Sequence, residues 1–304
     1  MEGSYYVKSA DFVACHNQSY IGRYDMVQEL KHGGVFLLNC SKPDSELEAW
    51  LPNDVKIELA RRHASFYVID ASSIAIRLGL GSHTNTVLQA AFFACTGIMD
   101  SAKAIEAMKE AARRTYFAKG EAVVEKNIAA IECGASELKK IEVPGEWADL
   151  PADAPEDLSA LPGMVRNLLL PVNGQKGDDL PVSHFTRYVD GTVKLGLTAY
   201  EKRGIAVRLP RWDSSKCIQC NKCSLVCPHA AIRPYLLDKE EVAAAPEGFV
   251  TIPANGRAKG FSFALALSEF DCTGCGSCAS SCPVSALEMQ TALPAESSRA
   301  LFDY

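Results

Sequence analysis

Two runs of cysteine dominate what this chain can fold around. Eight of its 12 cysteines lie in CIQCNKCSLVCP, with Cys217, Cys220, Cys223 and Cys227 before Pro228, and in CTGCGSCASSCP, with Cys272, Cys275, Cys278 and Cys282 before Pro283. Each run reads C-x2-C-x2-C-x3-C-P. The opening MEGSYYVKSADF has neither the basic start nor the apolar centre of a signal peptide. The expected compartment is therefore reducing: cytoplasmic, or an anaerobic organelle if the host is eukaryotic. Cysteines there stay thiols rather than pairing as disulfides, and thiols at this density call for metal.

Three cysteines at intervals of three set three thiolates around one loop, and the fourth, one residue further on, faces away. The doubled spacing is that of bacterial two-cluster ferredoxins, in which the fourth cysteine of each run ligates the other cluster. The expected ligands are Cys217, Cys220, Cys223 and Cys282 for one 4Fe–4S cluster and Cys272, Cys275, Cys278 and Cys227 for a second. Pro228 and Pro283 suit the first turn of a helix. Gly274 and Gly276 allow a tight bend that points N–H groups at sulfide. Ile218, Val226, Ile232, Phe270, Val284 and Leu287 flank the ligands, as a water-excluding shell or simply as the core of a very small domain. His229 and Lys216 adjoin ligands and serve either as local charges or as solvated surface. A structural zinc site is the competing reading, but it needs neither the third cysteine of each run nor the C-P step. The stretch between Cys227 and Cys272 is long for a minimal two-cluster domain. Its Gly and Pro punctuation from Pro234 to Ser268 predicts a hairpin or excursion, with Arg257 and Lys259 as solvated charges or contacts for an acidic partner.

The rest of the chain reads as α/β. Short continuous apolar runs at Phe12–Cys15, Val35–Asn39 and Phe66–Ile69 predict buried parallel strands. Helical spacing predicts helices over Tyr20–Lys31, Asn53–His63 and Ser101–Tyr116, the last with Ile105, Met108 and Ala112 on one face and Glu110 paired to Arg114. Val87–Cys95, apolar nearly all round, predicts a buried helix. Cys15, Cys40 and Cys95 read as small hydrophobes, and Cys133, where a helical pattern ends near Gly134, as structural. GLGSHTNT, Gly79 to Thr86, lacks the third glycine and the preceding strand of a dinucleotide fingerprint. It reads instead as a glycine helix stop followed by an N-cap at Thr84 or Asn85. From Val143 to Pro181, repeated prolines predict an extended connecting segment on the surface. The longest apolar run, Val87–Met99, falls short of the roughly 20 residues of a membrane span. A net charge of −6 excludes the basic footprint of a nucleic-acid binder. No P-loop, HExxH, GxSxG or thiamine-type GDG motif occurs, so no catalytic residue is assigned.

The stretches KSADFVACHN, YIGRYDM, FLLNC, GLGSHTNT, MKEAARRTY, VPGEW and YEKRGIAV occur in that order, followed by both cysteine runs. In this the chain resembles the pyruvate:ferredoxin (flavodoxin) oxidoreductase, or pyruvate synthase, family along nearly its whole length. The resemblance implies a layout: 1–146 as the C-terminal part of a γ-type α/β domain with parallel strands, 147–191 as a Pro-rich connection and 192–212 as the segment containing Glu201-Lys202-Arg203. Residues 213–290 are then a small α+β two-cluster bacterial-ferredoxin-like domain, and 291–304 a tail. It also implies a reaction. Pyruvate and coenzyme A give acetyl-CoA, carbon dioxide and two electrons, with carbanion chemistry on thiamine diphosphate and Mg and 4Fe–4S clusters passing electrons to ferredoxin or flavodoxin. The eight motif cysteines match the family's medial and distal cluster ligands. The family's thiamine-binding domains, its third cluster and the first βα units of its γ domain match nothing in this chain. The expectation is an electron-transfer portion that does not turn over pyruvate alone and works with other domains or subunits of a homodimeric enzyme. The alternative is a stand-alone two-cluster electron carrier.

Overall fold

The computed structural model describes residues 7–292 and 294–304. The reading of the first six residues of MEGSYYVKSADF lies outside them. The chain divides into two compact units, Met1–Arg187 and Tyr188–Tyr304.

The first unit is a four-stranded sheet between helical layers. Strands β1 (Ala10–Cys15), β2 (Leu30–Asn39) and β3 (Ser65–Ile69) pair in parallel, and the short β4 (Lys139–Ile141) joins β3 antiparallel. The three apolar runs form parallel strands because both faces of the sheet are covered. Phe36 and Leu38 of β2 pack on one side with Leu47, Leu59, Phe66 and Trp147. Leu37 packs on the other with Ile69, Ile74, Val87 and Leu88. The first face is roofed by α1 (Asp44–Trp50) and α2 (Asn53–Arg61). The second is roofed by α3 (Ala71–Arg77), α4 (Asn85–Thr96) and, beyond α5 (Ser101–Tyr116), α6 (Glu121–Ser136). Helix α5 docks through Met108 and Ala112 onto Ala90 and Ile131. The Glu110–Arg114 pair forms at 3.2 Å.

Three details depart from the sequence reading. Tyr20–Lys31 is not a helix. Gly22 turns to φ +78°, only the short 3-10 turns Gln18–Tyr20 and Met26–Glu29 form, and Leu30 and Lys31 already belong to β2. Helix α4 is buried along Val87, Leu88, Ala90 and Ala91 but only half-buried from Phe92 to Thr96. The Pro-rich segment is less extended than its prolines suggest. A 3-10 turn at Gly145–Asp149 seats Trp147 in the core, and a π-turn at Val165–Leu169 buries Val165 and leads into α7 (Leu170–Asn173). The GLGSHTNT reading fares better: α3 ends at Arg77, Gly79 takes φ +68°, and Thr84 is the N-cap of α4, although its side chain makes no capping bond.

The second unit is an internal repeat. Its first half is β5 (Arg208–Trp212), the first cysteine loop, the one-turn α8 (Lys222–Leu225) and β6 (Ile232–Leu237). The excursion follows as α9 (Lys239–Ala244) and β7 (Ile252–Pro253). The second half is β8 (Ser262–Leu267), the second cysteine loop, α10 (Ser277–Ser280) and β9 (Leu287–Thr291), with α11 (Glu296–Asp303) last. Each half's strands pair with the other half: β5 with β9, and β6 with β8, both antiparallel. The same swap recurs beside the loops, where the Asp213 N–H bonds Ala286 O at 2.9 Å and the Ser268 N–H bonds Ala231 O at 2.7 Å. Pro234–Ser268 is indeed a hairpin, β6 against β8, with β7 added at the outer edge of β8.

Candidate metal centres

The two cysteine loops have nearly one backbone. Gln219 and Asn221 take φ +59° and +58°, while Gly274 and Gly276 take +71° and +80° at the corresponding places. The left-handed region suits glycine and, less readily, asparagine, so the second loop reaches this shape at low cost and the first holds it with Gln219 and Asn221. The turn aims backbone donors at sulfur. The Gln219 N–H points to Cys217 Sγ and the Gly274 N–H to Cys272 Sγ, both at 3.4 Å. Beyond the fourth cysteines the match continues, with the Ala231 N–H 3.3 Å from Cys227 Sγ and the Ala286 N–H 3.2 Å from Cys282 Sγ.

The two prolines do not start helices. Pro228 and Pro283 sit second in β-turns closed by Ala230 N–H to Cys227 O (3.2 Å) and Ser285 N–H to Cys282 O (3.3 Å). Proline's fixed φ suits that place in a turn as well as a first helical turn. The turn leaves the following N–H free to reach the cysteine sulfur, whereas a helix would commit it to its own ladder.

The side chains gather in crossed sets. Cys217, Cys220, Cys223 and Cys282 line one cavity, walled by Trp212, Phe263, Leu265 and Leu287. Cys272, Cys275, Cys278 and Cys227 line a second, walled by Ile232, Leu267 and Met289. The residues fit a thiolate-bound cluster. Trp212 Nε1 is buried without a hydrogen-bond partner, a donor for a sulfide in the cavity that its ring lines. Among the described residues no three His, Cys, Asp or Glu side chains converge to hold a single ion. Thiolates around one zinc, each about 2.3 Å from it, would stand about 3.8 Å apart, whereas a cubane spreads its ligands over four irons. Burial pushes the Cys223, Cys272 and Cys278 thiols up, while the Ser277 hydroxyl holds Cys275 below its ordinary value.

Of the expected flanking residues, Ile232 and Leu287 are buried, but Ile218 is 52% exposed and shields little. Lys216 pairs with Asp213 at 2.8 Å, and His229 is exposed against the second cavity. Of the four other cysteines, Cys15 and Cys40 are buried in the core, burial pushes Cys15 up to about 12 and half-buried Cys95 to about 11, and Cys133 Sγ accepts from Arg77 at 3.8 Å. The sequence reading missed the cover over the second loop. The Gly204 N–H bonds Phe270 O at 2.9 Å, Lys202 pairs with Asp271, and a Cβ on Gly274 would stand 2.9 Å from Arg208 O. It also missed Trp212 and Gln219, because a single indole or amide carries no motif.

Three family profiles match the chain in succession. Pyruvate ferredoxin/flavodoxin oxidoreductase covers residues 1–137, EKR, a domain of unknown function, covers 151–206, and a 4Fe-4S dicluster domain covers 216–286. Pyruvate-flavodoxin oxidoreductase of Klebsiella pneumoniae is 47% identical over 94% of this chain, and pyruvate:ferredoxin oxidoreductase of Moorella thermoacetica is 45% identical over 95%. These matches support a fragment of the pyruvate:ferredoxin (flavodoxin) oxidoreductase family. The chain spans 25% of the length of each of those two relatives. The mitochondrial pyruvate dehydrogenase [NADP(+)] of Euglena gracilis, 39% identical over 96% of the chain and matched over 16% of its own length, shows the same region inside a longer protein. The PORC subunit of pyruvate oxidoreductase from Thermotoga maritima, 22% identical with a TM-score of 0.36, covers 45% of this chain and 67% of its own. The match of residues 216–286 to a 4Fe-4S dicluster domain accounts for the clustered cysteines. Among the described residues no helix is long and apolar enough to cross a membrane.

Proposed function

We propose that the chain is the electron-conducting portion of a pyruvate:ferredoxin or flavodoxin oxidoreductase, with Cys217, Cys220, Cys223 and Cys282 holding one 4Fe–4S cluster and Cys272, Cys275, Cys278 and Cys227 the other. The observation that carries the reading is the crossed lining of the two cavities, three cysteines from one run and the fourth from its repeat. When bound, such clusters take up and release electrons singly. The chain's own residues supply the rest. Four backbone N–H groups lie 3.2–3.4 Å from cysteine sulfurs and offset the charge of thiolates. Phe263, Leu265, Ile232 and Leu267 wall the cavities against water.

In this reading the oxidation of pyruvate with coenzyme A takes place elsewhere in a complete homodimeric enzyme that carries thiamine diphosphate and Mg. The chain alone does not turn pyruvate over, ferredoxin or flavodoxin accepts the electrons, and the need for free thiols favours a reducing compartment, cytoplasmic or organellar. Replacing Cys282 tests the crossed ligation. Cys282→Ala is expected to damage the cluster of Cys217, Cys220 and Cys223, far away in sequence, and to leave the paramagnetic signature of the other. Loss of the second-run cluster instead would show that each run ligates its own cubane.

A further inference from the structure

The repeat makes the two cavities nearly equivalent in backbone, yet their surroundings differ in charge. Around the first loop, residues 213–223 and 253–261 hold Lys216, Lys222, Arg257 and Lys259 against a single acid, Asp213, which pairs with Lys216 at 2.8 Å. Along the second, residues 260–298 hold no lysine or arginine of their own, the cations that reach it being Lys202 on Asp271 and Arg211 on Glu269, and Asp271 and Ser277 stand where the first loop has Lys216 and Lys222. The contrast lies within a chain of net charge −6.

Gln219 builds the basic cluster. It lies between ligands Cys217 and Cys220, where the second loop has Gly274. Its Nε2 donates to Pro253 O at 2.8 Å, and its Oε1 accepts from the Asn255 N–H at 2.8 Å. These two bonds fasten the β7–β8 turn onto the first loop. The turn is itself tightly closed, with Ala254 N–H to Phe261 O at 3.0 Å and Phe261 N–H to Ala258 O at 3.1 Å. Exposed Arg257 and Lys259 therefore stand in the turn that Gln219 ties to the loop of exposed Cys220 and Lys222. Ile218 of the loop and Phe261 of the turn, 52% and 49% exposed, add apolar surface. The second loop has a different cover, the Lys202–Arg208 backbone, held by Gly204 on Phe270 and Lys202 on Asp271.

Apolar surface near a redox site, with charge mainly of one sign, is the build of a weak, electrostatically steered electron-transfer contact. We propose that the first loop and the turn fastened to it by Gln219 form the docking face for an acidic one-electron carrier protein, so that electrons leave the chain from the cavity of Cys217, Cys220, Cys223 and Cys282. This deepens the proposed function and rests on it. It makes Arg257 and Lys259 recognition residues and gives the excursion a purpose.

The test is titration of the iron-loaded full chain with oxidised flavodoxin, an acidic carrier, between about 0.02 and 0.2 M salt. Arg257→Glu/Lys259→Glu, outside the ligand loop, is expected to weaken binding on the order of tenfold at low salt and to flatten its salt dependence. Arg257→Lys should keep the affinity, and Gln219→Ala should lose part of it. Lys103→Glu/Arg113→Glu on α5 makes the same change in net charge and should leave binding near wild type. Equal weakening by both double variants, or no weakening by the first, overturns the docking face while the visible absorbance shows the clusters in place. A chain that takes up no iron instead overturns the cluster reading beneath it.

Discussion

Trp212 and Leu267 occupy matching places in the repeat, one lining each cavity. The indole offers a buried, unpartnered N–H, and leucine offers none. A hydrogen bond to cluster sulfur favours the more negative, reduced form and raises the potential. Trp212→Phe is therefore expected to lower the potential of the first-loop cluster by about 20–60 mV, the equivalent of one ordinary hydrogen bond. Leu267→Met should shift neither cluster comparably. A redox titration followed by paramagnetic resonance reads both, and an unchanged first-loop potential in Trp212→Phe would remove the indole's role. Cys15 makes a separate prediction. Burial pushes its thiol up to about 12, so between pH 9 and 12 the folded chain binds more protons than the unfolded one and stability falls as pH rises. Denaturant midpoints at pH 8 and pH 10.5 should drop more in wild type than in Cys15→Ala, by at most about 1.4 kcal/mol per pH unit. The gathering of the eight motif cysteines into two sets was legible because their spacing sets three around each loop and turns the fourth away. Trp212 and Gln219 were not, because their roles arise only when β5 and β7 are folded against the first loop.

Among the elements, the strands of the first unit were legible because continuous apolar runs occur where a sheet is covered on both faces. Helix α5 begins and ends where its spacing predicts, since Asp100 caps it, accepting the Lys103 N–H at 2.9 Å, and only one face is apolar. Tyr20–Lys31 misled because Tyr20, Tyr24, Val27 and Leu30 are spaced as on a helix, whereas Tyr20, Val27 and Leu30 reach the core from turns and from the start of β2. Gly134 lies two residues before the end of α6 at Ser136, close to where the helical pattern stops in the sequence. A Cβ there would stand 2.4 Å from Val87 O and 2.9 Å from the Ala90 side chain, so this glycine lets α6 lie directly on α4. Gly134→Ala is expected to cost about 1–3 kcal/mol by overpacking, whereas Gly145→Ala, whose Cβ would meet nothing within 4 Å, should be close to neutral. Equal midpoints for the two variants would show that the helices part without cost.

At the scale of the molecule, the two units are held by different means. The first has layered apolar cores on both faces of its sheet. The second is small, and its loops close around eight thiols rather than around side-chain bulk, so metal binding and folding are coupled there. Chelating the iron should strip hydrogen-exchange protection from Tyr188–Tyr304 while β1, β2 and β3 keep theirs. Uniform loss would mean that the first unit also depends on metal. The most direct measurement is iron and acid-labile sulfide in the chain purified without oxygen. The crossed cavities predict a brown protein with about eight irons and eight sulfides per chain. A colourless protein without iron, or one holding zinc with no sulfide, would contradict the account at its root.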